Sequence, residues 1–207
     1  HSSNIGRSGE SATTVGGAAD FGYHRRMDDY ADGIITPGLM RAILAQYPLP
    51  LNGVHGPAHW ARVYENGMHL AGLTGADREV VQLFAVLHDS RRFDEGECFE
   101  HGSRAAYFAV TLRGTHIHLD DDRFRLLCEA CERHTTGARR GDVTLQTCWD
   151  ADRLDLWRVG TTPRAELLCT DAARDRATLR WAKLRSASRT VPAFVRQTWL
   201  PRGGGAP

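Results

Sequence analysis

Apolar residues recur at helical spacing along most of the chain, and the alternation typical of strands is almost absent. The most apolar helix is predicted over 80–87, with Asp77 placed to cap its first turn. Pro57 suits the first turn of a second helix. The same periodicity predicts further helices after Pro37 and over 103–112, 123–133, 145–157 and 165–181, the last broken near Asp171. With 115–119 as the one short strand candidate, the pattern predicts a single all-α domain.

The two ends of the chain differ from this pattern. Residues 1–26 are rich in Ser, Gly and Thr, so we expect a disordered segment or a vector-derived remnant, with Met27 as a natural start. The helical domain is predicted over 27–190. Residues 191–207 end in a glycine-rich stretch, and we expect them to form a loosely ordered tail.

Composition narrows the class of protein. The chain has 207 residues, of which 42% are hydrophobic and 25% charged, as in globular domains. Lys+Arg (26) and Asp+Glu (25) nearly balance, and the arginines are scattered, which argues against a nucleic-acid polymer as partner. No apolar run reaches the roughly 18–20 residues of a membrane span, so we expect no membrane partner either. Composition does not determine the oligomeric state.

The five cysteines indicate a reducing, cytoplasmic setting, since they are odd in number, follow no secretory signal and lie among apolar helical residues. Cys128 and Cys131 form a CxxC, but inside a predicted helix and without a second Cys/His pair. We interpret them as core side chains and not as a zinc or redox site.

The sharpest chemical signal is the dipeptide His88-Asp89, which closes the apolar helix. An imidazole beside a carboxylate at the end of a buried helix costs desolvation energy unless it is paired. A divalent metal is the natural partner, because these groups are its usual nitrogen and oxygen ligands. The alternative is a helix-capping histidine followed by a solvated aspartate, which the dipeptide alone favours.

Two further stretches of the sequence show that the His88-Asp89 pair is part of a longer pattern. One begins at His55 and reads His-Gly-Pro-Ala-His-Trp-Ala-Arg-Val; the other begins at Trp149 and reads Trp-Asp-Ala-Asp-Arg-Leu-Asp. The order of these motifs over roughly residues 38–160 resembles the HD-domain superfamily of metal-dependent phosphohydrolases. The resemblance implies an HD-domain-like helical bundle in which four ligands from separate helices converge on one metal.

The resemblance implies a ligand at each matching position. His59 stands three residues before an Arg-Val pair, as the first histidine of the family does. His88 and Asp89 match the central pair, and Asp152 matches the aspartate of an Ala-Asp-x-Leu motif. Asp155, three residues further along, shares that helix face and is the less favoured choice. His55 is expected in the cleft or in the outer shell. Asp150, two positions before Asp152, is expected to point elsewhere and at best to reach the outer shell.

Two more histidines raise the question of a second metal. His101 precedes an x-x-x-Ala stretch found in many family members, and His134 stands where binuclear members often have a histidine pair. One interpretation is two metals bridged by Asp89, held by His59, His88, Asp89, His101, His134 and Asp152. The other is that His101 and His134 line the cleft and bind substrate phosphate. The metal itself stays open among Mn, Fe, Co, Ni, Zn and Mg.

The resemblance therefore implies a hydrolase that acts on a nucleotide or another small phosphorylated metabolite. Metal-activated water would attack phosphorus, with Asp89 and Arg92 as the catalytic residues. Arg153 also flanks the ligands and is a candidate phosphate clamp, whereas Arg91 is expected to form a surface contact and Asp94 is a candidate for the outer shell. Three alternatives remain: a di-iron oxygenase of the inositol oxygenase type, a non-catalytic ligand-binding module, and a bundle whose histidines are helix caps.

Overall fold

The computed structural model describes residues 33–200, and within this range the predicted all-α fold is confirmed. The stretch 115–119 forms only an isolated bridge between Arg113 and Ile117, so it adds no strand to the described residues. The helices are α1 (Pro37–Ala45), α2 (Pro57–Thr74), α3 (Arg78–Leu87), α4 (His101–Leu112), α5 (Asp121–Arg133), α6 (Val143–Arg153), α7 (Asp171–Arg174) and α8 (Arg176–Ala187).

Local capping explains where several helices begin. The Asp77 carboxylate accepts hydrogen bonds from the backbone of Glu79 and Val80, both at 3.0 Å, at the start of α3. Asp120 and Asp142 cap α5 and α6 in the same way. These side chains pair backbone donors that the first helical turn leaves unpaired.

The core forms where α2, α3 and α6 pack together and α5 closes over α3. Trp60, Phe84 and Trp149, from α2, α3 and α6, are fully buried there. Gly67 lies where α2 crosses α3: a Cβ at this position would come within 2.5 Å of the Val81 side chain. The glycine therefore lets the two helices approach closely, and both carry candidate metal ligands.

The later helix boundaries differ from the sequence prediction. Helix α6 ends at Arg153 and is followed by a 3-10 turn over Leu156–Val159. The predicted helix over 165–181 is divided into a 3-10 turn (Ala165–Leu167), α7 and α8, and α7 begins at Asp171, where the break was expected. Two capping side chains explain the division, since Thr170 caps α7 and Asp175 caps α8.

The C-terminal segment also differs from the expected loose tail, as far as residue 200. Phe194 and Trp199 are buried, and their rings meet the ring of Tyr64 edge-on at centroid distances of 5.7 and 6.0 Å. Aromatic burial therefore holds this segment on α2. The expectations for 1–26, Met27 and 201–207 lie outside the described residues. Within 33–200 no helix has the length and apolar character to cross a membrane.

Candidate metal centre

Five helix ends meet at one point in the bundle, and each brings candidate ligands. Of these six candidate ligands, the four histidines and Asp89 are buried, whereas the side chain of Asp152 is 19% exposed. The six residues are His59 in the first turn of α2, His88 and Asp89 directly after α3, His101 at the start of α4, His134 directly after α5 and Asp152 in the last turn of α6. The structure thus brings together all six predicted positions.

One half of the cluster surrounds Nε2 of His59. This atom lies 3.1 Å from Nε2 of His88, 3.4 Å from Oδ2 of Asp89 and 3.4 Å from Oδ1 of Asp152. His88 Nε2 is 3.7 Å from the same Asp89 oxygen and 3.8 Å from the same Asp152 oxygen. Two imidazole nitrogens and two carboxylate oxygens therefore face one small volume.

The other half surrounds the second oxygen of Asp89. Oδ1 lies 3.1 Å from Nε2 of His101 and 3.7 Å from Nε2 of His134, and these two nitrogens are 2.9 Å apart. Because Oδ2 faces His59 and Oδ1 faces His101, Asp89 joins the two halves. Within residues 33–200, two groups of side chains are spaced closely enough to hold a metal, and both groups contain Asp89.

A glycine allows the second half to form. Gly102 follows His101, and a Cβ there would lie 2.5 Å from the carbonyl oxygen of Cys131 and 2.9 Å from that of Glu132. The start of α4 therefore rests directly on the end of α5. This backbone contact sets His101 beside His134.

The outer ring nitrogen of each histidine is already engaged. Nδ1 of His59 lies 2.7 Å from Asp155 Oδ2, and the other three histidines contact backbone carbonyls through Nδ1. These carbonyls are Phe84 and Ala85 for His88, Cys98 for His101 and Cys131 for His134. Since a carbonyl only accepts, Nδ1 carries the hydrogen, and the Nε2 lone pair points into the cluster.

Inward lone pairs at this spacing require positive charge between them. If both rings were neutral, Nε2 of His59 and Nε2 of His88 would face each other at 3.1 Å without a hydrogen to share. Two nitrogens bound to one ion at about 2.0–2.1 Å lie about 3 Å apart, so the spacing suits a common metal. The donor set, imidazole and carboxylate, likewise fits a divalent transition metal.

The pKa shifts show the same demand for positive charge. Burial lowers the pKa of His88 to about 3. Burial and Arg158 oppose protonation of His59 as well, but its bonds to Asp152, Asp155 and Asp89 outweigh them and raise its pKa to about 9. Burial alone would raise the pKa of Asp89, yet the surrounding histidines hold it well below the usual range. In the absence of metal, a proton on His59 supplies part of the charge that a cation would bring.

Asp155 takes a different position from Asp152. Its carboxylate accepts from His59 Nδ1 and, at 2.7 Å, from the guanidinium Nε of Arg62. Asp155 therefore orients His59 from outside, whereas Asp152 faces the cluster. The sequence predicted a helix face shared by the two aspartates, but α6 ends at Arg153 and Asp155 lies beyond it.

Asp150 and Arg153 point away from the centre. Buried Asp150 accepts from the backbone N–H groups of Cys169 and Thr170. Arg153 donates to the carbonyls of Ala138 and Leu167. The expectation that Arg153 clamps phosphate at this centre is corrected, because those carbonyls hold its guanidinium elsewhere.

Arg92 does reach the cluster. Its NH1 lies 3.5 Å from Asp89 Oδ1 and 3.3 Å from His101 Nε2. The carbonyls of Asp94 and Gly96 accept from its other nitrogens, so the loop after α3 fixes the guanidinium. Asp94 contributes its backbone and not its carboxylate.

Arg91, by contrast, turns outward and donates to the Gln46 carbonyl. His55, expected in the cleft or in the outer shell, has its Nδ1 2.6 Å from the carboxylate of Glu95.

Two nearby side chains gave no signal in the sequence. Buried Arg158 donates to the carbonyls of Val54 and Asp155 and helps to lower the pKa of Asp152. The Tyr47 hydroxyl is buried and has no hydrogen-bond partner among the described residues. Burial, together with the charges of Glu95 and Asp89, raises the pKa of that hydroxyl.

The side chains of the CxxC cysteines lie apart from this chemistry, although the backbone carbonyl of Cys131 accepts a hydrogen bond from His134. Cys131 is fully buried and Cys128 partly so, and burial raises the pKa of both thiols. Within 33–200 neither belongs to a group spaced to hold a metal.

Comparisons of the chain with protein-family models, with curated proteins and with solved structures found no match.

Proposed function

We propose that this protein is a metal-dependent phosphohydrolase that acts on a nucleotide or another small phosphorylated metabolite. The observation that carries the proposal is the convergence of four inward Nε2 lone pairs on the two oxygens of Asp89, with every Nδ1 engaged outside. The resemblance of the ligand order to the HD-domain superfamily supports the same activity.

Two divalent ions fit this donor set. His59, His88, Asp89 and Asp152 would hold the first, and Asp89, His101 and His134 the second. When bound, such ions lower the pKa of a coordinated water and neutralise charge on a phosphoryl group. Neither donor set supplies six ligands, which leaves positions for water and for a phosphate oxygen.

The protein's own residues would orient the substrate. Arg92 presents its guanidinium beside Asp89 and His101, where it can donate to a phosphate oxygen. In the overall reaction one water adds to phosphorus and the P–O ester bond breaks. The phosphate keeps the water oxygen, and the leaving alcohol takes a proton.

The test begins with metal content and then turns to hydrolysis. Protein loaded with Mn²⁺ or Fe²⁺ would be assayed with aryl phosphomonoesters, aryl phosphodiesters and a nucleotide panel. We expect His88→Ala to lose metal and activity together, and Arg92→Gln to raise KM while it keeps the metal. Arg91→Gln, which removes a neighbouring arginine that faces Gln46, is the matched control. A protein that binds metal and hydrolyses none of these esters would overturn the proposed activity.

A second candidate, a di-iron oxygenase of the inositol oxygenase type, is favoured by one observation. All six residues expected for a binuclear site, including His101 and His134, lie together around Asp89. Two equivalents of iron, with oxygen consumption in the presence of a polyol and no ester hydrolysis, would support this candidate instead.

A further inference from the structure

A positively charged cavity lies between the loop after α5 and the segment that precedes α7. Its volume is about 780 Å³, and none of the six metal-facing residues lines it. Four arginines line it: Arg133, Arg139, Arg140 and Arg174. Among its described lining residues there is no aspartate or glutamate.

This concentration of positive charge is unusual for the chain. Acidic and basic residues nearly balance over the whole sequence, 25 against 26. Four guanidinium groups around one cavity repel one another, and an anion between them removes that repulsion. A cavity with this lining therefore favours an anionic occupant.

The surrounding structure holds three of the guanidinium groups in place. Arg133 pairs with Glu129 at 2.5 Å and lies over the Trp149 ring. Arg139 donates to the Glu166 carbonyl, and Arg174 donates to the Leu168 carbonyl at 2.6 Å. Held guanidinium groups lose less conformational freedom when they bind an anion.

Much of this charge is not neutralised. A carbonyl oxygen fixes Arg139 without cancelling its charge. The Arg140 side chain forms no hydrogen bond or ion pair within residues 33–200 and is exposed at the rim. Glu129 and Asp171 offset the charge on Arg133 and Arg174 in part. At least two positive charges remain for a ligand.

We propose that this cavity is a binding site for an oligophosphate, either inorganic or the phosphate chain of a nucleotide. Several phosphate groups in a row match several arginines, since each guanidinium can donate two parallel hydrogen bonds to one phosphate. The volume lies within the range of small-molecule sites, about 300–1,000 Å³. The inference does not depend on the phosphohydrolase activity.

An anion bound in this cavity would also stabilise the segments that carry the metal centre. The loop that contributes Arg139 and Arg140 directly follows His134. On the other wall, the backbone of Cys169 donates to Asp150, two residues before Asp152. A bound anion thus links two segments that are continuous with metal-facing residues, and we expect it to raise the melting temperature of the metal-free protein.

The test uses the whole 207-residue chain after treatment with a chelator, so that no metal contributes to binding. Tripolyphosphate, ATP and adenosine would be titrated at low and at moderate salt, with binding followed by calorimetry and by thermal shift. The double variant Arg139→Gln/Arg140→Gln removes two lining charges. Its matched control, Arg176→Gln/Arg180→Gln, removes two exposed arginines of α8 and gives the same net charge.

We expect tripolyphosphate to bind the wild type in a salt-dependent manner. The lining variant should weaken this binding by at least about tenfold, and the control variant by less than about twofold. Arg92→Gln should leave it unchanged, because Arg92 belongs to the metal centre. If ATP binds more tightly than tripolyphosphate while adenosine does not bind, the occupant of the cavity is a nucleotide. Equal affinities for ATP and tripolyphosphate indicate an inorganic phosphate chain.

Three results would overturn the proposal. One is equal binding by the lining variant and the control, since binding would then reflect net charge alone. The second is no detectable binding of tripolyphosphate or ATP at low salt. The third is loss of binding only in Arg92→Gln, which would assign the anion to the metal centre. The first two results leave the proposed ester hydrolysis untouched.

Discussion

Nδ1 of His59 donates a 2.7 Å hydrogen bond to Oδ2 of Asp155, and both residues are fully buried. The other oxygen of the same carboxylate accepts from Arg62 at 2.7 Å. A single aspartate therefore orients a candidate metal ligand and neutralises a buried arginine. Asp155 therefore acts on metal binding through His59, although its own carboxylate does not face the cluster.

Asp155→Asn should weaken both roles. We expect metal affinity to fall by about 10–100-fold, as is typical when an outer-shell carboxylate is lost. The free energy of unfolding should fall by roughly 3 kcal/mol, because Arg62 keeps its charge and loses its buried partner. Chelator competition and urea unfolding measure the two effects. Asp122→Asn, whose side chain is 91% exposed, is the control; equal effects from both variants would contradict the assignment.

Gly102→Ala should remove the second metal selectively. The added methyl would meet the carbonyls of Cys131 and Glu132, so α4 must shift away from α5 and His101 from His134. We expect the metal content of the loaded protein to fall from two equivalents to one. Gly72→Ala is the matched control, since a Cβ there meets nothing within 4 Å. Two equivalents in Gly102→Ala would show that the backbone contact does not set the second site.

Metal-free protein should be most stable near pH 6.5. The pKa of His59 is raised from 6.5 to about 9, so its stabilising proton is fully present below pH 6.5 and is lost as the pH rises through 9. This loss is on the order of 3 kcal/mol. The pKa of His88 is lowered to about 3, so stability also falls as the pH drops below 6.5, where only the unfolded chain gains that proton.

Urea unfolding of chelator-treated protein between pH 5 and 9.5 measures this profile. Saturating metal should reduce the alkaline decline, because a cation replaces the proton of His59. His59→Gln should reduce it as well. A flat profile between pH 6.5 and 9 in the metal-free wild type would contradict the raised pKa of His59.

Tyr47→Phe should stabilise the fold. The substitution removes a buried hydroxyl that has no partner among the described residues and keeps the ring that meets Trp60 at 5.0 Å. We expect the free energy of unfolding to rise by about 1 kcal/mol, since an unpaired buried polar group carries a desolvation cost. Tyr107→Phe, at a residue that is 73% exposed, should change it little. A clear loss of stability in Tyr47→Phe would mean that the hydroxyl is hydrogen-bonded in solution.

The sequence by itself determined the features that depend on near neighbours. Helical periodicity and the Asp77 cap predicted α3, and the adjacency of His88 and Asp89 at its end marked the centre. The expectation that His59, His101, His134 and Asp152 meet this pair came from the resemblance of the motif order to the HD-domain superfamily. The helix signals themselves are local, because caps and helix faces act over three or four residues.

Only the tertiary structure decided where side chains point once helices pack. Arg92 reaches Asp89, whereas Arg153 turns to Ala138 and Leu167, although both flank candidate ligands. The bond between His59 and Asp155 joins residues 96 positions apart, and the arginine-lined cavity combines residues of α5, α6 and α7 with the loops between them. Such contacts depend on helix crossings and loop paths, which nearby residues do not encode.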